Sequence, residues 1–165
     1  MTPNQATLMT DPGNAVDSFQ KVFSDGRIKL QKGSLDSDLY LFYDAPKGTP
    51  RFTYVRLEEK TVTAFVEFVP WDPIDGLRCM HIGYAVPEAY RGKGRATEIV
   101  TAAIAELKNG LKRGGIKEFY VEAMVGSDNV ASQHVAAKAI SDKPVETMDR
   151  ISGLPALQYL RKIGE

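Results

Sequence analysis

The clearest periodicity in the chain runs through Ala96, Ile99, Val100, Ala103, Ile104, Leu107 and Leu111. These apolar positions recur at the three- and four-residue spacing of one helix face, over four turns. The pattern predicts a long helix from Gly94 or Arg95, closed by Gly114 and Gly115, that lays a single apolar stripe on a sheet. A shorter stripe of Ala15, Val16, Phe19, Val22 and Phe23 predicts a helix over residues 14–23, with Asn14 as its cap and Gly26 at its end. Residues 1–13, with two prolines and several small polar side chains, read as a flexible arm. Between the helices, aromatic and β-branched runs at residues 39–43, 51–57 and 61–69 predict three strands, preceded by a small strand at 27–31. The short link 58–60 suits a hairpin, and the proline-rich stretch 70–76 should break the chain before a strand at 77–86. A further strand at 118–125 leads into a helix over 129–139, which Pro144 prevents from continuing. The C-terminal end reads either as two strands, 145–151 and 156–163, or as a short helix over 155–162.

Helix, antiparallel-looking strands, long helix, strand, helix and closing strands make a mixed α/β layer architecture. At 165 residues and 43% apolar content the chain suits one domain, 1–165, with a sheet buried under helices. Lys plus Arg and Asp plus Glu are equal at 21 each, which points to neither nucleic acid nor a membrane surface as partner. Charge is nonetheless uneven: between residues 91 and 117 seven basic residues face two acidic ones, a local +5 whose field favours a small polyanion. A single cysteine, Cys79, and two separated histidines argue for a reduced, cytoplasmic protein without a disulfide or a metal site. The oligomeric state is open, a homodimer among the options.

The polyanion has an obvious place to bind. The apolar strand ending at Ala85 and Val86 runs into Arg91-Gly92-Lys93-Gly94-Arg95-Ala96 and straight into the long helix. Glycines let a backbone approach an anion, and a helix start aims free N–H groups at it. Neither the P-loop pattern nor the dinucleotide fingerprint fits, because Lys93 precedes Gly94 and position 97 is threonine. What fits is R-x-x-G-x-A, carried by Arg91, Gly94 and Ala96. This resembles the pyrophosphate-binding motif of the GNAT family of acyl-CoA N-acyltransferases. Downstream, Asn129, Ser132, Val135 and Lys138 resemble the family's second cofactor helix.

The resemblance implies a GNAT fold: a mostly antiparallel central sheet, splayed between its fourth and fifth main strands and flanked by helices. It implies an N-acetyltransferase that moves the acetyl group of acetyl-CoA to a primary amine of a small molecule or peptide. A GNAT-fold module that binds acyl-CoA without turnover is the alternative. Ala85 and Val86 would pair with the pantetheine, residues 92–96 would hold the pyrophosphate, and Asn129 and Ser132 would contact the arm. Family catalysis is direct attack by the amine, which needs a base and an acid but no enzyme nucleophile; Cys79 therefore reads as a small core residue. Glu67, His81 and Glu122 are the candidate bases, each equally readable as a hydrogen-bonded structural residue. Two departures stand out. The family's acid tyrosine, seven residues after the helix asparagine, is here Ala136, which leaves Ser132, Tyr84, Tyr159 or water to protonate the thiolate. The segment after the last helix, through residue 159, is unlike the family's usual ending, so the acceptor is undefined; Trp71 is a candidate to line its pocket.

Overall fold

The computed structural model describes residues 12–164, which form one eight-stranded sheet between helices, in the strand order β1-β2-β3-β4-β5-β6-β8-β7. Strands β1 to β5 are antiparallel neighbours: Gln31–Lys32, Tyr40–Asp44, Arg51–Glu58, Thr61–Ile74 and Leu77–Ala85. Strand β6, Phe119–Gly126, lies parallel to β5, then β8, Pro155–Ile163, and β7, Val145–Met148, complete the sheet antiparallel to their neighbours. Helix α2, Arg95–Arg113, crosses from β5 to β6, which is the long connection that a parallel pair requires. Helix α3, Val130–Ala139, follows β6, and α1, Pro12–Ser24, opens the described chain.

The predicted stripe of α2 is the side that is buried. Ile99, Val100, Ala103, Ile104 and Leu107 pack with Ala64, Val66, Phe68, Met80 and Ile82 from the sheet. The opposite sheet face belongs to α1, where Val16 meets Val55, Val62 and Phe65, and Phe19 lies edge-on to Phe65 at 5.8 Å. A bulge explains why Val62 and Phe65 share this face although three residues apart. Arg56 pairs with Ala64 and Leu57 with Val62, so Thr63 is the extra residue and the alternation resets. One buried carboxylate was not foreseen from the stripe. Glu106 accepts hydrogen bonds from the backbone N–H groups of Ser34, Leu35 and Asp36, tying the loop after β1 to α2. A Cβ at Gly33 would sit 2.7 Å from that carboxylate and 2.5 Å from the Asp36 carbonyl oxygen, so the turn accepts only glycine.

Several expected boundaries move. Of the predicted break at 70–76 only Asp75 and Gly76 turn the chain, and residues 70–74 continue β4. Pairing with β3 ends at Phe52 and Phe68, so the missing N–H groups of Pro70 and Pro73 disrupt no ladder on that side, and Pro73 falls within the register shift opposite β5. Asn14 lies inside α1 instead of capping it, since the helix already includes Pro12, the first described residue. The predicted arm over 1–13 thus loses its last two residues to α1, and the remainder lies outside the described residues. The small strand expected at 27–31 is confined to Gln31 and Lys32. At the C-terminal end the two-strand reading holds, and the helical one over 155–162 does not: Ala156, Tyr159 and Ile163 are buried along a strand paired from Phe119 to Gly126 of β6.

Candidate functional site

Strand β5 leaves the sheet at Ala85, and a single turn of 3-10 helix at Glu88–Tyr90 brings the chain round to the basic segment. Arg91 staples this turn, its Nε donating to the Val86 carbonyl at 2.8 Å. Gly92 and Gly94 both take left-handed conformations, φ 81° and 73°, and a Cβ on either would meet nothing within 4 Å. Glycine is thus needed here for its backbone freedom, and the space above both residues is open. Gly94 is the N-cap of α2 and no side chain caps the helix. Its first internal bond is from Glu98 N–H to the Gly94 carbonyl, so the N–H groups of Arg95, Ala96 and Thr97 have no helical acceptor. Arg95 is held by Glu58 at 3.0 Å and lies over the Tyr90 ring at 5.3 Å.

Beyond this turn a cleft of about 450 Å³ opens between α2, α3 and the end of β5, within the range of small-molecule and cofactor clefts. Ala85, Val86, Arg91, Gly92, Gly94, Arg95, Ala96, Asn129 and Ser132 all line it, joined by Tyr84, Tyr90 and Thr97, while Lys93 is not among its walls. Asn129 caps α3, its Oδ1 accepting from Ser132 N–H at 3.1 Å. The Tyr84 hydroxyl donates to the Ser132 carbonyl at 2.8 Å, bridging β5 and α3 across the cleft. Burial raises the Tyr84 phenol well above its ordinary range, with a smaller contribution from Tyr159, so it stays protonated.

Before β5 reaches the cleft at Tyr84 and Ala85, the sheet parts. β5 and β6 are paired only at Cys79 with Tyr120, Met80 with Val121 and His81 with Glu122, after which the strands diverge. The last pair before the divergence carries two of the predicted bases. His81 Nδ1 lies 3.3 Å from Glu122 Oε1, and Gln158 Nε2 donates to Glu122 Oε2 at 2.7 Å. Burial pushes the Glu122 carboxyl upward, but the hydrogen bonds from His81 and Gln158, with the nearby charges, outweigh it and hold the group below its ordinary value. An ionised carboxylate can only accept, so the proton of a neutral His81 belongs on Nδ1 and Nε2 keeps a lone pair. By strand alternation both side chains point away from α2 and α3, onto the face that α1 covers.

On that face Trp71 lies beside His81 with centroids 4.9 Å apart and rings tilted by 37°, and the Arg150 guanidinium lies over Trp71 at 5.4 Å while pairing with Asp72 at 3.1 Å. Glu67 shares the face but belongs to another cluster, opposite Gly83 and near Arg51, which forms a two-pronged ion pair with Asp44. Burial pushes its carboxyl up to about 7, with Arg51 opposing the shift and Asp44 adding to it. The four candidate catalytic residues therefore fall in three places: His81 with Glu122, Glu67 apart from them, and Ser132 in the cleft on the other side of the sheet. Gln158 and Arg150 carried no signal in the sequence, since only the pairing of β6 with β8 and the β7–β8 connection bring them here. Cys79 is buried in the sheet, and burial, with the charges of Glu122 and Asp72, pushes its thiol up to about 12, which makes it inert as a nucleophile. Among the described residues no group of three His, Cys, Asp or Glu side chains is placed to hold a metal ion, and no helix is long and apolar enough to cross a membrane.

Comparison with solved structures places this architecture. An acetyltransferase of the GNAT family from Streptococcus pneumoniae superposes with a TM-score of 0.55 at 14% identity, over 93% of this chain and 96% of that one. The ribosomal-protein-S5-alanine acetyltransferase of Vibrio fischeri gives 0.52 at 17%, over 71% and 62%. A protein assigned as a phosphinothricin N-acetyltransferase gives 0.51 at 19%, over 70% and 73%. At these identities the likeness is one of fold. Comparison with curated proteins gives no match. The sequence itself matches the acetyltransferase (GNAT) family over residues 18–140, a span that holds the anion turn, both cleft helices and the His81–Glu122 pair, and the chain belongs to that family.

Proposed function

We propose that this protein is an N-acetyltransferase that uses acetyl-CoA and a primary amine. The observation that carries the reading is an anion-binding turn built into a cleft at the end of a parting strand. An uncapped helix start with two left-handed glycines lines a cleft whose walls include Tyr84 and Ala85 of β5, and that strand has parted from β6 just before, at the His81 and Glu122 pair. The residues fit such a ligand: open space over Gly92 and Gly94 admits a phosphate chain, and Arg91, Lys93 and Arg95 supply charge. Ala85, at the end of β5 beyond its pairing with β6, offers strand backbone to amide groups in the cleft, with Val86 following it and Asn129 and Ser132 on the facing helix.

Bound acetyl-CoA supplies a thioester carbonyl, activated toward an amine. The chain's own contribution is proton handling and positioning. His81, oriented through Nδ1 by the ionised Glu122, takes a proton from the acceptor's ammonium at Nε2 and frees the lone pair that attacks the carbonyl carbon. Glu122 stabilises the imidazolium so formed. The C–S bond breaks, and Tyr84, which lines the cleft, is the group we assign to return a proton to the thiolate by turning its O–H from the Ser132 carbonyl to the sulfur; this fills the place of the absent helix tyrosine at Ala136. The test is calorimetry with acetyl-CoA combined with release of free thiol in the presence of a panel of primary amines. Saturable binding with amine-dependent release is expected. Binding without release on any amine makes the protein a binding module instead, and absence of binding removes the assignment of the cleft.

A further inference from the structure

The proposed reaction leaves the acceptor's chemistry open, and the face of the sheet opposite the cleft bears on it. Helices α2 and α3 cover the cleft side, and α1 covers the other face over Val55, Val62, Phe65 and Gly83, so an amine reaches the His81 imidazole, whose side chain is 11% exposed, from beside α1, where Trp71 and Arg150 stand. Trp71 lies against the imidazole with centroids 4.9 Å apart and the rings tilted by 37°, and the Arg150 guanidinium lies over the Trp71 ring at 5.4 Å. The arginine comes from the β7–β8 connection, a segment with no counterpart in the family's motifs, and its side chain is 63% exposed. Asp72 engages one of its nitrogens, Nη1, at 3.1 Å. A guanidinium has five donors in a rigid fork, so most of that fork is left to face outward beside the aromatic ring. By contrast Arg51, the other arginine of this face, commits both prongs to Asp44 at 2.9 and 2.6 Å.

Resting on the acetyltransferase reading above, we propose that the acceptor is an amine that also carries an anionic group, such as a carboxylate, and that Arg150 determines this specificity. The ammonium end is drawn toward the ionised Glu122 behind His81, the body of the acceptor lies along the exposed flank of Trp71, and the anion docks on the Arg150 fork. An aromatic face supporting a guanidinium holds it in place without consuming its donors. Acceptors that are cationic at both ends place a like charge against Arg150 and are discriminated against.

The test uses the full chain with saturating acetyl-CoA and matched primary amines: 6-aminohexanoate, hexylamine and 1,6-diaminohexane, with thiol release as the readout. A kcat/KM for the amino acid at least tenfold above hexylamine is expected, expressed mainly in KM, with the diamine poorest. Because Arg150 also acts on the Glu122 charge, the decisive quantity is the ratio between acceptors. Arg150→Ala should collapse the preference for 6-aminohexanoate to within about twofold, and Arg150→Lys, a point charge without the fork, should keep an intermediate ratio. Turnover of all three amines with no preference for the anionic one, or a preference that survives Arg150→Ala, overturns the specificity proposal and leaves the acetyltransferase reading standing. Binding of acetyl-CoA with no turnover of these or any other amine overturns both.

Discussion

The proposed donor and acceptor sides of this molecule are built in opposite ways. On the donor side as proposed, recognition belongs to the backbone: two left-handed glycines, the N–H groups of one helix turn without a helical acceptor and the end of β5 beyond its pairing with β6, all within residues 84–97. On the acceptor side it belongs to side chains, and those come from five separate strands or connections: Trp71 and Asp72 from β4, His81 from β5, Glu122 from β6, Arg150 from the β7–β8 connection and Gln158 from β8. A backbone device needs a fixed local sequence and tolerates change elsewhere. A side-chain constellation needs only that the fold deliver the groups, so each can be exchanged singly. Donor binding and acceptor choice can therefore vary independently on one scaffold.

If that contrast is right, substitutions that disturb the backbone of the turn should exceed those that remove its charges. Gly94→Asp places a β-carbon at φ 73° and a carboxylate at the helix start, and calorimetry should show acetyl-CoA affinity reduced by more than about 100-fold. Lys93→Ala should cost only severalfold, because its charge acts from outside the cleft wall, and Arg95→Ala little more, since Glu58 already competes for the guanidinium. Equal losses from Gly94→Asp and Lys93→Ala would make the turn an electrostatic device and break the comparison. On the acceptor side His81→Ala should lower kcat by about 100-fold with acetyl-CoA affinity unchanged. Glu122→Gln keeps the shape of the pair but removes the charge that supports an imidazolium, so the rate at neutral pH should fall about tenfold and its rise with pH should shift downward. A pH–rate profile untouched by both variants would move the base elsewhere, with Glu67 the first place to look.

The same contrast explains what could be read from the chain. The stripe of α2, its start at Gly94 and the glycine turn are local, and the positions from Arg91 to Ala96 carry them in order. His81 and Glu122 were recognisable as polar residues in apolar strands, but their meeting depends on the parallel register of β5 against β6, which no local pattern encodes. Arg150 was invisible because its role comes from a connection that reaches back to β4. Reading the prolines as breakers was right only for the turn at Asp75 and Gly76 and failed over 70–74 for a physical reason as well: a strand with a vacant side accepts proline, and the vacancy lies where pairing with β3 stops. Without the continuation of β4, Trp71 would not stand in register with Cys79, two residues from His81.

Glu67 sharpens the comparison through stability. Its carboxyl is 8% exposed, with burial as the main cause of a rise from 4.5 to about 7 and no hydrogen bond to either member of the His81 pair. Raised above its unfolded value, the group favours folding in its protonated form. That contribution is complete below pH 4.5 and is lost as pH climbs through about 7. Glu67→Gln should accordingly remove a decline in unfolding free energy on the order of 2–3 kcal/mol between those pH values, seen in denaturant titrations across the range. If Glu67 is merely a buried residue of the acceptor face, thiol release by this variant stays near the unsubstituted rate. A rate loss as large as that of His81→Ala would transfer the base to Glu67 and merge the two clusters.

The smallest effect tests the one donor-side residue whose side chain has two claims on it. Asn129 caps α3 through Ser132 N–H and also lines the cleft. Asn129→Ala removes both functions, so a loss of about 1 kcal/mol in stability together with weaker acetyl-CoA binding could not separate them. Asn129→Ser can. Serine caps a helix about as well as asparagine, so denaturant midpoints should hold, while the shorter side chain gives up the amide that the ligand would meet. A severalfold loss of affinity at unchanged stability makes Asn129 a ligand-binding residue that happens to cap a helix. Unchanged affinity makes it a cap alone, and the donor side would then depend on backbone groups even more fully than the glycine turn implies.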